Sequence, residues 1–221
     1  MIVIASHDRY DLINNLLEQL TSINLNSHDI LVVDTNSTDL DFLKKFNNLP
    51  IKYPNIKFDR LNYDCRDSGA YIYAYKNYKR ESYIFLQDSI KIINNNIILE
   101  FDNFLKENDV ISPYTFNYFY DTDYQKEWVI EGINCTEPEW AIFGPLFAVN
   151  KSALDKIADN WLKYPTSKIE SCGMERRWSL IFHALNIPIL YPYGYFHPNE
   201  KQINIQKILT YKEREKNKEK K

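Results

Sequence analysis

Glycine is scarce in this chain, with five residues in 221. No Gly-rich phosphate cradle is present, which disfavours a nucleotide-kinase P-loop and a dinucleotide-binding turn. A Gly-x-Ser-x-Gly elbow is also missing, so serine hydrolysis of that kind has no support. Only three cysteines occur, Cys65, Cys135 and Cys172, odd in number and widely spaced. They make neither a compact zinc pattern nor a disulfide scaffold, and they fit a reducing, cytoplasmic compartment. No apolar run approaches the length of a bilayer span, and Met1 to Ala5 is too short for a signal peptide.

Positive charge is in short supply outside the C-terminal end. The net charge is -3, while residues 212–221 hold six basic and three acidic side chains; that surplus of three leaves about -6 on the rest. Such a body is a poor general binder of a polyanionic backbone, so nucleic acid is not an expected partner, although a local basic pocket for phosphate is compatible with it. Aromatics, by contrast, are plentiful at 15%, including 17 Tyr and 4 Trp. Core packing accounts for most such residues, and a ligand cleft would use some of them.

The first half alternates strand and helix signals. Met1 to Ala5 reads as a core strand, followed by a helix with Leu12, Leu16, Leu17 and Leu20 on one face. Asp29 to Val33 is a second strand, running into a loop and helix cap at Asp34-Thr35-Asn36-Ser37-Thr38-Asp39. A short strand around Ile56-Lys57-Phe58 is followed by Asn62 to Ala70 and then by an aromatic-rich helix running to about Tyr78, and Ser82 to Leu86 is a fourth strand ending at Gln87-Asp88-Ser89. This order predicts a mostly parallel sheet with helices on both faces.

The second half reads differently. A helix is expected near residues 96–106, irregular structure with short strands over Val110 to Trp140, and a return to the core at Ala141 to Val149. Asn150 is a candidate cap for a helix from Lys151 to Asn160. Gly173-Met174-Glu175-Arg176-Arg177-Trp178 reads as the opening of a helix through Ala184, followed by a strand at Ile187 to Leu190. One domain over residues 1–210 and a charged tail over 211–221 complete the expected organisation.

Ligands of such sheets collect at the carboxyl ends of the strands, where Asp8, Asp34 and Asp88 fall in this reading. Carboxylates brought together need a cation, a proton or a ligand to offset their charge. A magnesium or manganese ion bridging a carboxylate and a diphosphate would meet that need, since hard cations prefer oxygen. Capping of the following turns is the alternative role for Asp34 and Asp88. Arg66 is a candidate phosphate ligand or a surface ion-pair member.

Three segments, Ile2-Val3-Ile4-Ala5-Ser6-His7-Asp8-Arg9, Ile30 to Asp39 and Tyr83-Ile84-Phe85-Leu86-Gln87-Asp88-Ser89, together resemble the donor-binding half of GT-A fold glycosyltransferases, especially family 2. Arg66-Asp67-Ser68-Gly69-Ala70 is similar to a helix start in rhamnan-synthesis-type glycosyltransferases, and Gly173 to Trp178 to the acid-headed helix bearing the family's catalytic base. The resemblance covers roughly residues 1–195. It implies a GT-A type, Rossmann-like mixed sheet and an inverting, metal-dependent transfer of sugar from a nucleotide diphosphate donor to a glycan or sugar hydroxyl. The implied donor-site residues are Ser6, Asp8, Asp34, Arg66, Asp67, Gln87 and Asp88, with Asp34 holding the base, and Glu175 is the implied catalytic base.

The departure from the family pattern is at the metal motif, where Gln87-Asp88-Ser89 has one acid and two are usual. The implied ion, Mn2+ or Mg2+, would then rest on Asp88, with His197 as a further ligand. The acceptor is expected against Tyr118 to Asp123 and Glu127-Trp128, and the chain could be one module of a larger enzyme. Two other readings remain open: an inactive GT-A-like carbohydrate-binding module, and a sugar nucleotidyltransferase, which normally needs a Gly-rich basic loop where this chain has Ser6-His7-Asp8-Arg9.

Overall fold

Alternation in the first strand decides the layering. The computed structural model describes residues 1–23, 25, 28–117, 140–161, 163–194 and 204–207. Strand β1 (Ile2–Ser6) is buried at every position. Successive side chains of a strand point to opposite faces, so Ile2 and Ile4 enter one hydrophobic cluster and Val3 and Ala5 the other. A strand with two apolar faces needs cover on both sides.

The chain continues through α1 (Tyr10–Ser22), β2 (Ile30–Thr35), α2 (Leu40–Phe46), the short α3 (Leu49–Lys52), β3 (Lys57–Leu61), α4 (Arg66–Asn77) and β4 (Ser82–Gln87). Beyond it lie β5 (Ile90–Ile92), α5 (Ile97–Phe104), β6 (Val110–Ile111) and β7 (Thr115–Asn117). The last described elements are β8 (Trp140–Ile142), β9 (Leu146–Asn150), α6 (Lys151–Trp161), α7 (Lys168–Ala184), β10 (Ile189–Leu190) and β11 (Ile205–Lys207).

Among the described residues, a seven-stranded sheet has the order β10-β6-β9-β4-β1-β2-β3. β1 pairs in parallel with β2 and β4, β2 with β3, and β10 with β6. β9 alone runs antiparallel, against both β4 and β6. Two-stranded ribbons β11-β5 and β7-β8 flank this sheet. The expected α/β class, a largely parallel mixed sheet with helices on both faces, is the observed one.

Helix α1 buries Ile13, Leu16, Leu17 and Leu20, the spacing of one helical face; Ile13 replaces Leu12 as the fourth core residue. With α2, α3 and α5 it covers the Ile2 and Ile4 face, whereas α4, α6 and α7 cover the other. That second face is built on rings. Tyr71 stacks on Phe85 with centroids 4.5 Å apart, Phe85 meets Phe147 at 5.0 Å, and Phe147 meets Trp178 at 5.8 Å. These aromatics are core, and their offset and tilted contacts add to the burial of apolar area.

Several boundaries differ from expectation for local reasons. β3 extends to Leu61, because its polar Asp59 and Arg60 pair with Val33 and Asp34 of β2. Val110-Ile111 is one of the short strands expected in its stretch, and it is buried in the main sheet. α7 begins at Lys168, not Gly173: Ser167 Oγ accepts from the Glu170 amide at 3.1 Å, and Glu170 reaches back to the Thr166 amide and hydroxyl. Such a reciprocal cap ends the unpaired first turn of a helix.

Asn150 is the last residue of β9, and its side-chain amide donates to the Leu105 and Asn108 carbonyls. β10 starts only after Pro188, which has no amide hydrogen for a ladder. The expected charged tail lies outside the described residues. No helix of the described residues is long and apolar enough to cross a membrane.

Phe85→Ala should lower unfolding free energy by about 3–5 kcal/mol in urea denaturation, by loss of transfer energy and opening of a cavity. A loss below about 1 kcal/mol would show that the ring stack does not organise this face.

Candidate active site

Parallel strands deliver their carboxyl ends to one edge, and the loops leaving that edge are held in unusual backbone conformations. Asp8, Asn36 and Arg66 have φ of 53°, 63° and 51°. They follow β1 and β2 and open α4, at the edge where β1 to β4 end. Non-glycine residues in this region persist only where their surroundings over-determine them. At Asp8 those surroundings are visible: its amide donates to Ser37 Oγ at 2.7 Å, and its Oδ1 accepts from the Thr38 and Asp39 amides at 2.9 and 3.0 Å. Asp8 thereby ties the β1 loop to the start of α2, which Asp39 caps through the Phe42 amide.

Asp34 is fully buried. Its Oδ1 accepts from the Ser37 amide at 3.0 Å and the Ser37 hydroxyl at 2.5 Å. Its Oδ2 lies 3.1 Å from Arg60 Nε, yet no hydrogen bond is aligned on that oxygen. Arg60 also donates to the Ser37 carbonyl at 2.9 Å. Burial pushes the Asp34 carboxyl upward, against the lowering effects of the Ser37 hydroxyl and amide and of the Arg60 and His7 charges.

Asp88 forms a second centre. Its Oδ2 accepts from Ser6 Oγ at 3.3 Å and from the His7 amide at 3.4 Å, and its Oδ1 pairs with Arg9 at 3.2 Å. His7 links the two centres. Its Nδ1 donates to the Thr35 carbonyl at 2.9 Å; a carbonyl only accepts, so Nδ1 carries hydrogen and Nε2 faces Asp8 Oδ2 at 3.5 Å. One connected network therefore runs from Asp88 through His7, Asp8 and Ser37 to Asp34 and Arg60.

Gln87 and Asp67 meet on a third line of contact: Gln87 Nε2 donates to Asp67 Oδ2 at 2.8 Å, joining β4 to the first turn of α4. Arg66 pairs with Asp64 at 2.9 Å, and its Nε has no hydrogen-bond partner. Glu175 is the eighth residue of α7 and not near its start, a correction that follows from the cap at Ser167. Its side chain lies outside the described residues. The backbone that carries it is placed by a buried hydroxyl pair, Ser68 with Ser171 at 2.8 Å, where α7 crosses the first turn of α4. His197 and the Tyr118 to Trp128 segment also lie outside the described residues.

A divalent ion at Asp88 can be tested against these donors. Among the described residues, no group of three His, Cys, Asp or Glu side chains is placed to hold a metal. The single carboxylate already carries a guanidinium, and Gln87 points an amide donor at Asp67. Hard cations need several oxygen ligands, so an ion at Asp88 would have to draw most of them from groups other than these side chains.

Arg9 and Arg60 were not among the residues expected at the site. Arg9 stood beside Asp8 in the quoted loop. Arg60 becomes visible only once β3 is extended, for register then places it opposite Asp34.

No protein-family model and no curated protein matches the sequence. Solved structures do match in fold. A mannosyltransferase from Pyrobaculum calidifontis, in complex with GDP-Man and Mn2+, is 13% identical with a TM-score of 0.60, over 87% of this chain and 55% of that one. Residues 1–349 of S. aureus TarS are 17% identical with a TM-score of 0.52, over 81% of this chain and 55% of that one. A CMP:2-keto-3-deoxy-manno-octonic acid synthetase complexed with CTP is 10% identical with a TM-score of 0.52, over 86% and 88%. The chain thus spans about half the length of the first two. The fold is GT-A-like.

A raised folded pKa means that native Asp34 keeps its proton longer than the unfolded chain does. Its contribution to stability is full below the ordinary carboxyl range, near pH 4, and is lost as pH rises through the folded value. In urea titrations, wild-type stability relative to Asp34→Asn should therefore fall with pH across that window and then level off. A relative stability that grows with pH would overturn the assignment.

Proposed function

We propose that the chain is a glycosyltransferase that moves a sugar from a nucleoside diphosphate donor to a hydroxyl of a sugar or glycan, with inversion. The observation that carries this reading is the network from Asp88 to Asp34 at the carboxyl edge of parallel strands in a GT-A-like fold. Open α/β sheets bind ligands at that edge. Asp34 suits a base: its Oδ2 is a buried acceptor with no aligned hydrogen bond, so a ring N–H would supply the missing partner. Arg60, half-exposed above it, would move aside or lie against the nucleoside.

Arg66 and Arg9 flank the site with positive charge that the leaving diphosphate requires. In a single displacement, the acceptor hydroxyl gives its proton to the Glu175 carboxylate as its oxygen bonds to the anomeric carbon. The bond from that carbon to the diphosphate oxygen breaks, and its electron pair leaves with the diphosphate. The order of motifs along the chain favours a family-2-like enzyme with rhamnan-synthesis-type features. The mannosyltransferase with bound GDP-Man supports a nucleotide-sugar donor of the same class.

A nucleotidyltransferase is the second reading, favoured by the synthetase match over 88% of that protein's length. Against it stands the Ser6-His7-Asp8-Arg9 loop, which has no glycine and one arginine for a triphosphate.

A panel of sugar nucleotides titrated against the full chain separates these readings. At least one should bind, Asp34→Ala should weaken it about tenfold or more, and slow hydrolysis should release nucleoside diphosphate. Glu175→Gln should leave binding intact and lower turnover by about 10²–10⁴. Pyrophosphate released from a nucleoside triphosphate and a sugar phosphate would instead establish the second reading. Failure of every sugar nucleotide to bind would sink the first.

A further inference from the structure

Asp88 sits where the resemblance calls for a metal ligand, but its surroundings are those of an arginine anchor. Its side chain is 4% exposed, and both oxygens are engaged, Oδ1 by Arg9 and Oδ2 by Ser6 and the His7 amide. A cation placed on Oδ1 would meet the guanidinium of Arg9 at 3.2 Å from that oxygen. A cation on the same carboxylate would sit close to that guanidinium and be repelled by it.

The neighbouring residue points the same way. Where a second acid is usual, Gln87 donates an amide hydrogen to Asp67. An acid at that position would face the Asp67 carboxylate and need a cation between them, whereas glutamine needs none.

Arg9 itself has capacity left. A guanidinium carries five N–H donors, and among the described residues the Arg9 side chain makes one hydrogen bond, through NH1 to Asp88. The side chain is 25% exposed, and it is tethered at the strand-end edge through Asp88. Planar guanidinium groups bind phosphate oxygens in pairs and keep their charge at any working pH.

We propose that Arg9, held by Asp88, is the cation that receives the donor's diphosphate, and that it takes the place of a divalent ion. Asp88 is then a positioning residue, fixed in turn by Ser6 and the His7 amide. Arg9 is the group that touches the substrate. This inference rests on the glycosyltransferase reading and adds to it how the leaving group is neutralised.

Calorimetric titration of the full chain with GDP, UDP and the parent nucleosides, in EDTA and then in manganese, tests it. At least one nucleoside diphosphate should bind in EDTA, with manganese changing its Kd by less than about threefold. Arg9→Ala should weaken that diphosphate about 10- to 100-fold while leaving the nucleoside's affinity unchanged. Arg9→Lys should recover part of the loss, and Asp88→Asn should give an intermediate one. The unchanged nucleoside affinity separates lost phosphate binding from misfolding. Binding that requires manganese, vanishes in EDTA and survives Arg9→Ala would overturn this inference and leave the glycosyltransferase reading standing. Binding of no nucleotide under either condition would overturn both.

Discussion

The arrangement at the carboxyl edge depends on how β1 is held. Ile2 to Ser6 pairs in parallel with β2 on one side and β4 on the other, and it is buried on both faces. A strand so confined has no freedom of register, because a slip of one residue would turn each apolar set toward the wrong cluster. Ser6 is consequently fixed opposite Asp34, and the Asp88 amide bonds to the Ala5 carbonyl just short of it. The loop Ser6-His7-Asp8-Arg9 then has acids within reach on both sides. From the ladder alone, two separate strand ends become one site.

Charge at that site is balanced locally. Asp34 and Asp88 are both buried carboxylates, and each is matched by one arginine, Arg60 and Arg9, arriving from a different segment. Amide and hydroxyl donors occupy most of the remaining oxygen positions. Removal of either arginine would leave a buried charge uncompensated, a costly state in a low-dielectric interior. The same pairing keeps two guanidinium groups poised at the edge where a nucleoside diphosphate would lie. In the proposed reading, structural neutralisation and ligand binding draw on the same side chains.

Much of the α/β layering was legible in the order of apolar runs. β1, β2 and β4 are short, continuous and bounded by polar residues, and α1 shows a clear helical face. Less legible were elements whose cues are polar. β3 continues through Asp59 and Arg60 because ladder pairing, rather than side-chain pattern, holds them. α7 is started by a reciprocal cap at Ser167 and Glu170, upstream of Gly173. The acids of the site could be found from their place at strand ends. Their arginine partners could not, for Arg9 was hidden beside a more conspicuous acid and Arg60 behind a strand boundary.

By itself, the sequence determined which segments must be buried and where acidic residues leave the strands, since both follow from hydrophobic period and local turn chemistry. Tertiary structure alone decided what those acids face. Asp88 and Arg9 are 79 positions apart, and Asp34 meets Arg60 across a parallel pair whose register is set by the whole sheet. Ion pairing depends on distance and burial in three dimensions, and neither quantity is written in the spacing of residues along a chain.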